Sequence, residues 1–405
     1  MKKENFLSFE LSFLVVGLPI LFILREYIPI SKNIFTYSIM GFILLTLINY
    51  KNLVRLKLYS KIPIYINVLL ITLYTIFLLN LMYSPSNSSS IYVFITILIY
   101  FALLTREEKD FSIFYKYILI ISSVVTVLTL LTTPLDLNYW AYDGGRLYVG
   151  DTHNPNLSAF TALINILVIV FYLLQKDIKL KLYIKISFLV VSLGSLYIYF
   201  LSFSKSAIVG LVFSLIYLFP RRLLKNKKFL INIVILVVSV FLILIFLPAI
   251  GEEISNKFMV LNSAYDAYFY GKTSNLAADS AAIRHQTLSN VLPILKDINL
   301  FTGNSIFTTR ADFPLLQVFT DLGFFAGFIN LFLMLIFPLI LIIKQDMRNK
   351  ILSNDLEKSK YFAVLLYLFN LPNLFLHGTP YEYSMWLPIL ILYKFLSWKK
   401  EEPYV

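Results

Sequence analysis

The chain contains no cysteine. That excludes a disulfide framework, a thiolate zinc site and a cysteine nucleophile. Only three histidines are present, which argues against a histidine-rich metal site, and neither a metal nor a cofactor is expected. Charge is scarce as well. Asp, Glu, Lys and Arg make up 14% of the 405 residues, where a soluble protein carries about a quarter. No internal repeat and no soluble second domain are evident, so a transporter built from two related halves is not the expectation.

What the chain has instead is apolar length. Hydrophobic residues reach 59%, an excess that water does not tolerate and lipid does. Runs long enough to cross a bilayer of ~30 Å fall near 7–24, 34–50, 63–83, 90–105, 112–132, 155–175, 186–203, 206–220, 229–249, 314–343, 361–376 and 385–398. The fold expected is therefore all-α: a polytopic membrane protein of about 12 transmembrane helices, with residues 1–405 forming a single transmembrane domain. Met1-Lys2-Lys3 leads into the first run and no small-residue cleavage site follows it, so the first span is expected to be retained.

The net charge of +12 acquires meaning once it is placed against the membrane, and no nucleic-acid partner is expected from it. Lys51, Arg55, Lys57 and Lys61 lie between the second and third runs, and Arg106 and Lys109 between the fourth and fifth. Lys176, Lys179, Lys181 and Lys185 follow the sixth; Arg221, Arg222, Lys225, Lys227 and Lys228 follow the eighth; Lys344, Arg348, Lys350, Lys358 and Lys360 follow the tenth. Every second connection is basic, so the positive-inside rule puts both termini in the cytoplasm, and Lys399 and Lys400 agree. The remaining connections face outward. Two are long: one from about Pro134 to Asn154, and one over 250–313, the longest polar stretch in the chain. Within the second, Asp279 and Ser280 offer a cap to a short amphipathic helix carrying Ala281, Ala282, Leu288 and Val291.

A few cations fall on the outward side, against the trend, and four have chemically suggestive neighbours. Arg146 sits between glycine stations, ahead of Asp151-Thr152-His153-Asn154-Pro155-Asn156. Asn154 followed by Pro155 reads as an N-cap plus first-turn proline, which aims a helix N-terminus at whatever Arg146 holds; a phosphate suits it, and a structural turn with a surface arginine suits it equally. Lys205, in Ser202-Phe203-Ser204-Lys205-Ser206, is either an interfacial anchor or a ligand for a head group or phosphate oxygen. Arg284 falls beside His285 on the loop helix, and Arg310 precedes Asp312-Phe313-Pro314. Asp312 reads as a general base or as a helix cap. His377-Gly378-Thr379-Pro380-Tyr381-Glu382-Tyr383 reads as an aromatic belt or as a sugar-binding turn built on His377, Tyr381 and Glu382. Inside the runs, Glu10 and Lys116 are the main ionisable residues, both near ends, which disfavours a flippase with a charged cavity.

These stations, in this order, resemble the O-antigen polymerase and O-antigen ligase superfamily of bacterial membrane glycosyltransferases. Arg146 through Asn156 looks like the family's outer segment of arginine, glycine and Asn-Pro-Asn entering a span. Leu201 through Gly210 looks like its short Ser-Arg-Gly-Ala turn, with Lys205 in the arginine's place; lysine keeps the charge and loses the bidentate fork. Arg284 through Gly303 looks like the arginine-to-glycine stretch, and Gln317 through Gly327, with Asp321-Leu322-Gly323, like the span after it. The likeness covers roughly 140–345. The His-Asn pair that ligases carry about ten residues before the acidic step is replaced by Asp312-Phe313, which favours polymerase over ligase.

The resemblance implies a GT-C-like architecture with one large extracytoplasmic loop, in a bacterial plasma membrane. It implies polymerisation of undecaprenyl-pyrophosphate-linked oligosaccharide repeats into O antigen or capsule, with ligase or flippase as alternatives. Arg146, Arg284 and Asp312 would be catalytic. Lys205, Arg310, His153, Asn154, His285, His377, Tyr381 and Glu382 would bind pyrophosphate or sugar, without metal. The partners implied are the lipid-linked oligosaccharide, the bilayer and a chain-length regulator.

Overall fold

A computed structural model describes residues 3–28, 30–83, 87–134, 146–149, 154–175, 181–202, 204–218, 291, 293, 295–296, 298–306, 313–347, 352–376 and 378–398. All regular structure among them is helical. In chain order the principal helices are α1 (Lys3–Tyr27), α2 (Lys32–Leu47), α3 (Ile64–Tyr83), α4 (Asn87–Thr105), α5 (Phe114–Thr132), α6 (Pro155–Leu173), α7 (Leu182–Ser202), α8 (Lys205–Leu218), α9 (Pro314–Leu322), α10 (Phe324–Lys344), α11 (Asp355–Asn370) and α12 (Tyr383–Phe395). Six of them, α1, α3, α5, α6, α7 and α10, are long and apolar enough to cross a bilayer. The run expected at 229–249 and the loop helix opened by Asp279-Ser280 lie outside the described residues, apart from Val291.

The expected run over 314–343 is two helices, not one. Gly323 breaks it at φ +88°, a conformation that side-chain-bearing residues avoid. Segment 298–306 satisfies the ends so exposed. Asn304 and Ser305 N–H groups donate to the Thr320 and Asp321 carbonyls (2.9 and 3.0 Å), closing the C-terminus of α9. The Asn299 and Leu300 carbonyls accept from Phe324 and Phe325 (3.3 and 2.8 Å), closing the N-terminus of α10. Hydropathy alone cannot see such a break, because both halves are apolar. The run expected at 361–376 is displaced in the same way. α11 starts earlier, where Asn354 accepts from the Glu357 N–H (2.9 Å), and it ends at Asn370, where Leu371-Pro372 stops it.

Pro19 lies inside α1 and Pro338 inside α10. Pro19 and Pro338 each follow a π-turn, Phe13–Gly17 and Phe332–Ile336. Pro338 has no N–H for the Met334 carbonyl one turn back. The Tyr367 hydroxyl of α11 supplies the missing donor at 3.0 Å, and the Tyr393 hydroxyl of α12 donates to the neighbouring Leu333 carbonyl. In lipid such freed carbonyls must find partners inside the protein, and these two do.

One end of the bundle carries an ionic hub. Arg106, 8% exposed, donates to the Thr46, Leu47 and Ile48 carbonyls (2.8, 2.6 and 3.2 Å), so it caps α2 with a side chain. Lys394 is buried at the end of α12 and donates to the Tyr59 and Arg106 carbonyls. With Asp321 it joins Glu10 and Lys116 as an ionisable residue within the apolar runs. Glu108 joins Lys61 (2.9 Å) to Lys360 (3.1 Å), Asp110 faces Lys3 (3.5 Å), and Lys116 meets Asp355 (2.6 Å). The basic connections that the structure describes thus gather at one end. Arg146 and Lys205 lie at the other.

Candidate functional site

α6 begins as its sequence dictates. Asn154 is the N-cap, its Oδ1 accepting from the Asn156 N–H at 3.0 Å, and Pro155 occupies the first turn. The segment 146–149 lies beside this end. The Leu147 N–H donates to the Leu201 carbonyl (3.0 Å), and the Leu147 side chain is fully buried against Ala162, Ile198 and Leu201. That anchorage delivers Arg146 to the junction of three helix ends. Its Nε donates to the Ser202 carbonyl (3.0 Å), the last residue of α7, and one η nitrogen donates to Asn156 Oδ1 (3.2 Å) at the start of α6. The guanidinium is therefore clamped from two sides. An arginine fork held this way keeps its direction at small entropic cost.

Lys205 opens α8 three residues beyond Ser202 and is exposed. The flanking hydroxyls of Ser204 and Ser206 lie 3.2 Å apart. α8 reaches this end of the bundle by packing tightly on α11. A Cβ built at Gly210 would lie 1.9 Å from the Phe369 carbonyl oxygen, so only glycine permits this approach. α11 also meets α6 through Phe160 and Phe369, whose ring centroids are 4.9 Å apart. Arginine and lysine thus flank the N-termini of two helices of 19 and 14 residues, an arrangement suited to an anion.

A second polar group lies at the break between α9 and α10. Asp321, fully buried, accepts from the Tyr381 hydroxyl (2.9 Å) and from Gln317 Nε2 (3.3 Å). Burial first, then the adjacent Asp321 carboxylate, hold the Tyr381 phenol well above its ordinary value and therefore protonated. Tyr381 is 1% exposed, so it is a strut between the α12 turn and α9 rather than part of an exposed aromatic belt. Glu382 is the N-cap residue of α12, and its Oε2 accepts from Ser384 at 3.3 Å.

Of the residues singled out in the sequence, the structure brings together Arg146, Asn154 and the turn leading to Lys205. Tyr381 and Glu382 lie on a different turn. Arg284, Asp312, Arg310, His153, His285 and His377 lie outside the described residues. Asp312 would precede the cap position of α9, which is Phe313. Sequence reading did not single out the Ser202 carbonyl or Asn156 as the clamp on Arg146, nor Gln317 as a partner of Asp321. The i,i+4 spacing of Gln317 and Asp321 on a helix face is the signal that could have found the last pair. No family model, no curated protein and no solved structure matches the chain.

Proposed function

We propose that the chain is a membrane glycosyltransferase that polymerises oligosaccharide repeats carried on undecaprenyl pyrophosphate, at the outer face of a bacterial plasma membrane. The observation that carries this reading is the clamped Arg146. Two of its partners, Asn156 and the Ser202 carbonyl, lie in stretches that the resemblance to the polymerase and ligase superfamily had picked out. In this reading the Arg146 end faces outward, the ionic hub faces the cytoplasm, both termini are cytoplasmic, and the full complement is about 12 spans in a GT-C-like arrangement.

The chemistry follows from charge. A hydroxyl at the non-reducing end of the acceptor repeat attacks the anomeric carbon of the donor glycan. The bond to the diphosphate oxygen breaks, and that leaving group carries away the electron pair. Arg146 and Lys205, with Arg284 and Arg310 from the long loop, hold the charge that develops. Each well-aimed donor of this kind contributes ~2.7–4 kcal/mol to the transition state. Asp312 is the proposed acceptor of the hydroxyl proton. The lipid carrier stays in the bilayer throughout, which is why such a site belongs at a bundle end.

The test is deletion followed by electrophoresis of the glycan. Loss of polymer with one repeat retained supports a polymerase. Loss of all attachment to the lipid A core means a ligase, and repeats trapped on the cytoplasmic leaflet mean a flippase; either result overturns the proposal.

A further inference from the structure

Beside the Arg146 segment lies a small cavity of about 10 Å³ between α1, α5, α6 and α7, lined by Pro19 of α1, close to the least space that one water molecule occupies. Val149 lines it, and Thr126, Thr129, Ser158 and Thr161 face it. The hydroxyl protons of the three threonines are committed to their own helices. Thr126 donates to the Ser122 carbonyl (3.0 Å), Thr129 to Val125 (2.8 Å) and Thr161 to Leu157 (3.0 Å). Thr126 is further engaged with Asn165 (3.1 Å) and Ser195 (3.1 Å). Thr129 and Thr161 therefore offer lone pairs only. The Ser158 hydroxyl, 2% exposed, has no hydrogen-bond partner among the described residues.

We infer that this cavity binds a single water molecule. The water accepts the Ser158 proton and donates its own two to the Thr129 and Thr161 oxygens. Three hydrogen bonds is the usual number for a buried water, and each group finds a partner of the right sense. A cation fits less well, because among the described residues the facing side-chain oxygens are neutral hydroxyls and none is a carboxylate. The water ties α5 to the first turn of α6, the turn that carries Asn156 and so the clamp on Arg146. This inference stands whether or not the glycosyltransferase reading does.

The test pairs a map that resolves ordered waters with thermal unfolding of the purified full chain. The expected map shows density within hydrogen-bond distance of Ser158 Oγ, Thr129 Oγ1 and Thr161 Oγ1. Ser158→Ala then lowers the unfolding midpoint by about 1–2 °C, because a satisfied hydroxyl is lost. Were the cavity dry, the same change would remove an unsatisfied buried hydroxyl and raise the midpoint. A dry cavity in the map, a raised or unchanged midpoint, or a midpoint that rises on replacing potassium with sodium each overturns the inference. Thr129→Ser, which keeps the oxygen, is expected to retain the density.

Discussion

The guanidinium of Arg146 is hydrogen-bonded to the main-chain oxygen of Ser202, 3.0 Å away, across 56 residues of sequence. The bond fixes a cation to the end of α7, where a side-chain acceptor would be free to rotate. Charge at that point is a matter of backbone geometry, and substitutions around it should separate charge from direction.

Arg146→Ala should reduce polymer formation by about 10²–10³-fold while the protein still inserts. Arg146→Lys should recover little of this, because an ammonium cannot engage the Ser202 carbonyl and Asn156 while keeping the planar fork. Asn156→Ala, which removes one clamp on Arg146, should fall between wild type and Arg146→Ala. Gel electrophoresis of the glycan reads all three. Chain lengths unchanged in Arg146→Ala would sink the proposed role.

Tyr367→Phe should destabilise the bundle by about 1–3 kcal/mol, since the Met334 carbonyl loses the donor that replaces the absent N–H of Pro338. In a Pro338→Ala background the same change should cost less, because residue 338 then brings its own N–H. The two changes are thus coupled, and thermal unfolding of the four proteins in detergent measures the coupling. Strictly additive effects would contradict the proline–tyrosine relationship.

Gly210→Ala should be poorly tolerated. The added Cβ would meet the Phe369 carbonyl oxygen at 1.9 Å, and main chain cannot swing aside as a side chain can. A cost of about 3 kcal/mol is expected, with α8 and α11 forced apart. Gly41 is the control, since a Cβ there meets nothing within 4 Å. Similar unfolding midpoints for the two variants would refute the close approach.

Asp355 predicts a pH dependence. It lies at the start of α11, ahead of the apolar part. Burial opposes its ionisation, but hydrogen bonds from Lys116 and Tyr115 and the Lys116 charge outweigh that, and its pKa falls below the ordinary 3.8. A depressed folded-state value contributes stability that is present above 3.8 and lost as pH drops through the folded value. Both side chains are more than a third exposed, so the contribution sits at the low end of the ~0–1 kcal/mol typical of surface pairs. Asp355→Asn should therefore lower stability slightly at neutral pH and flatten the acid limb, the two proteins converging as pH falls through the folded value. An unaltered acid limb would count against the pair.

The helical character, with helices long and apolar enough to cross a bilayer, was legible because it is written in composition and run length, which need no tertiary information. So was the opening of α6, because Asn154 and Pro155 act within one turn. Arg146 and the Ser202–Lys205 turn were each visible as stations, but their mutual contact was not, since it depends on Leu147 being buried against α7. The break at Gly323 was hidden because backbone torsion leaves no trace in hydropathy. Asn165 shows the same limit more sharply. It is fully buried in an apolar run, and all four of its side-chain hydrogen bonds go to Ser122, Ser123, Thr126 and Ser195 on two other helices. Nothing local to Asn165 identifies those partners.

Arg106 has a consequence for how this protein meets its ionic surroundings. The charged groups at this end are held in two ways. Lys109 and Glu107, 2.7 Å apart, stand in the open, where mobile ions compete with them and dissolve their attraction as ionic strength rises. Arg106 spends its charge against three carbonyls behind a screen of protein, out of reach of those ions. Strong salt should therefore loosen the rim of this end while leaving α2 pinned, so that the rim responds to the medium and the cap does not.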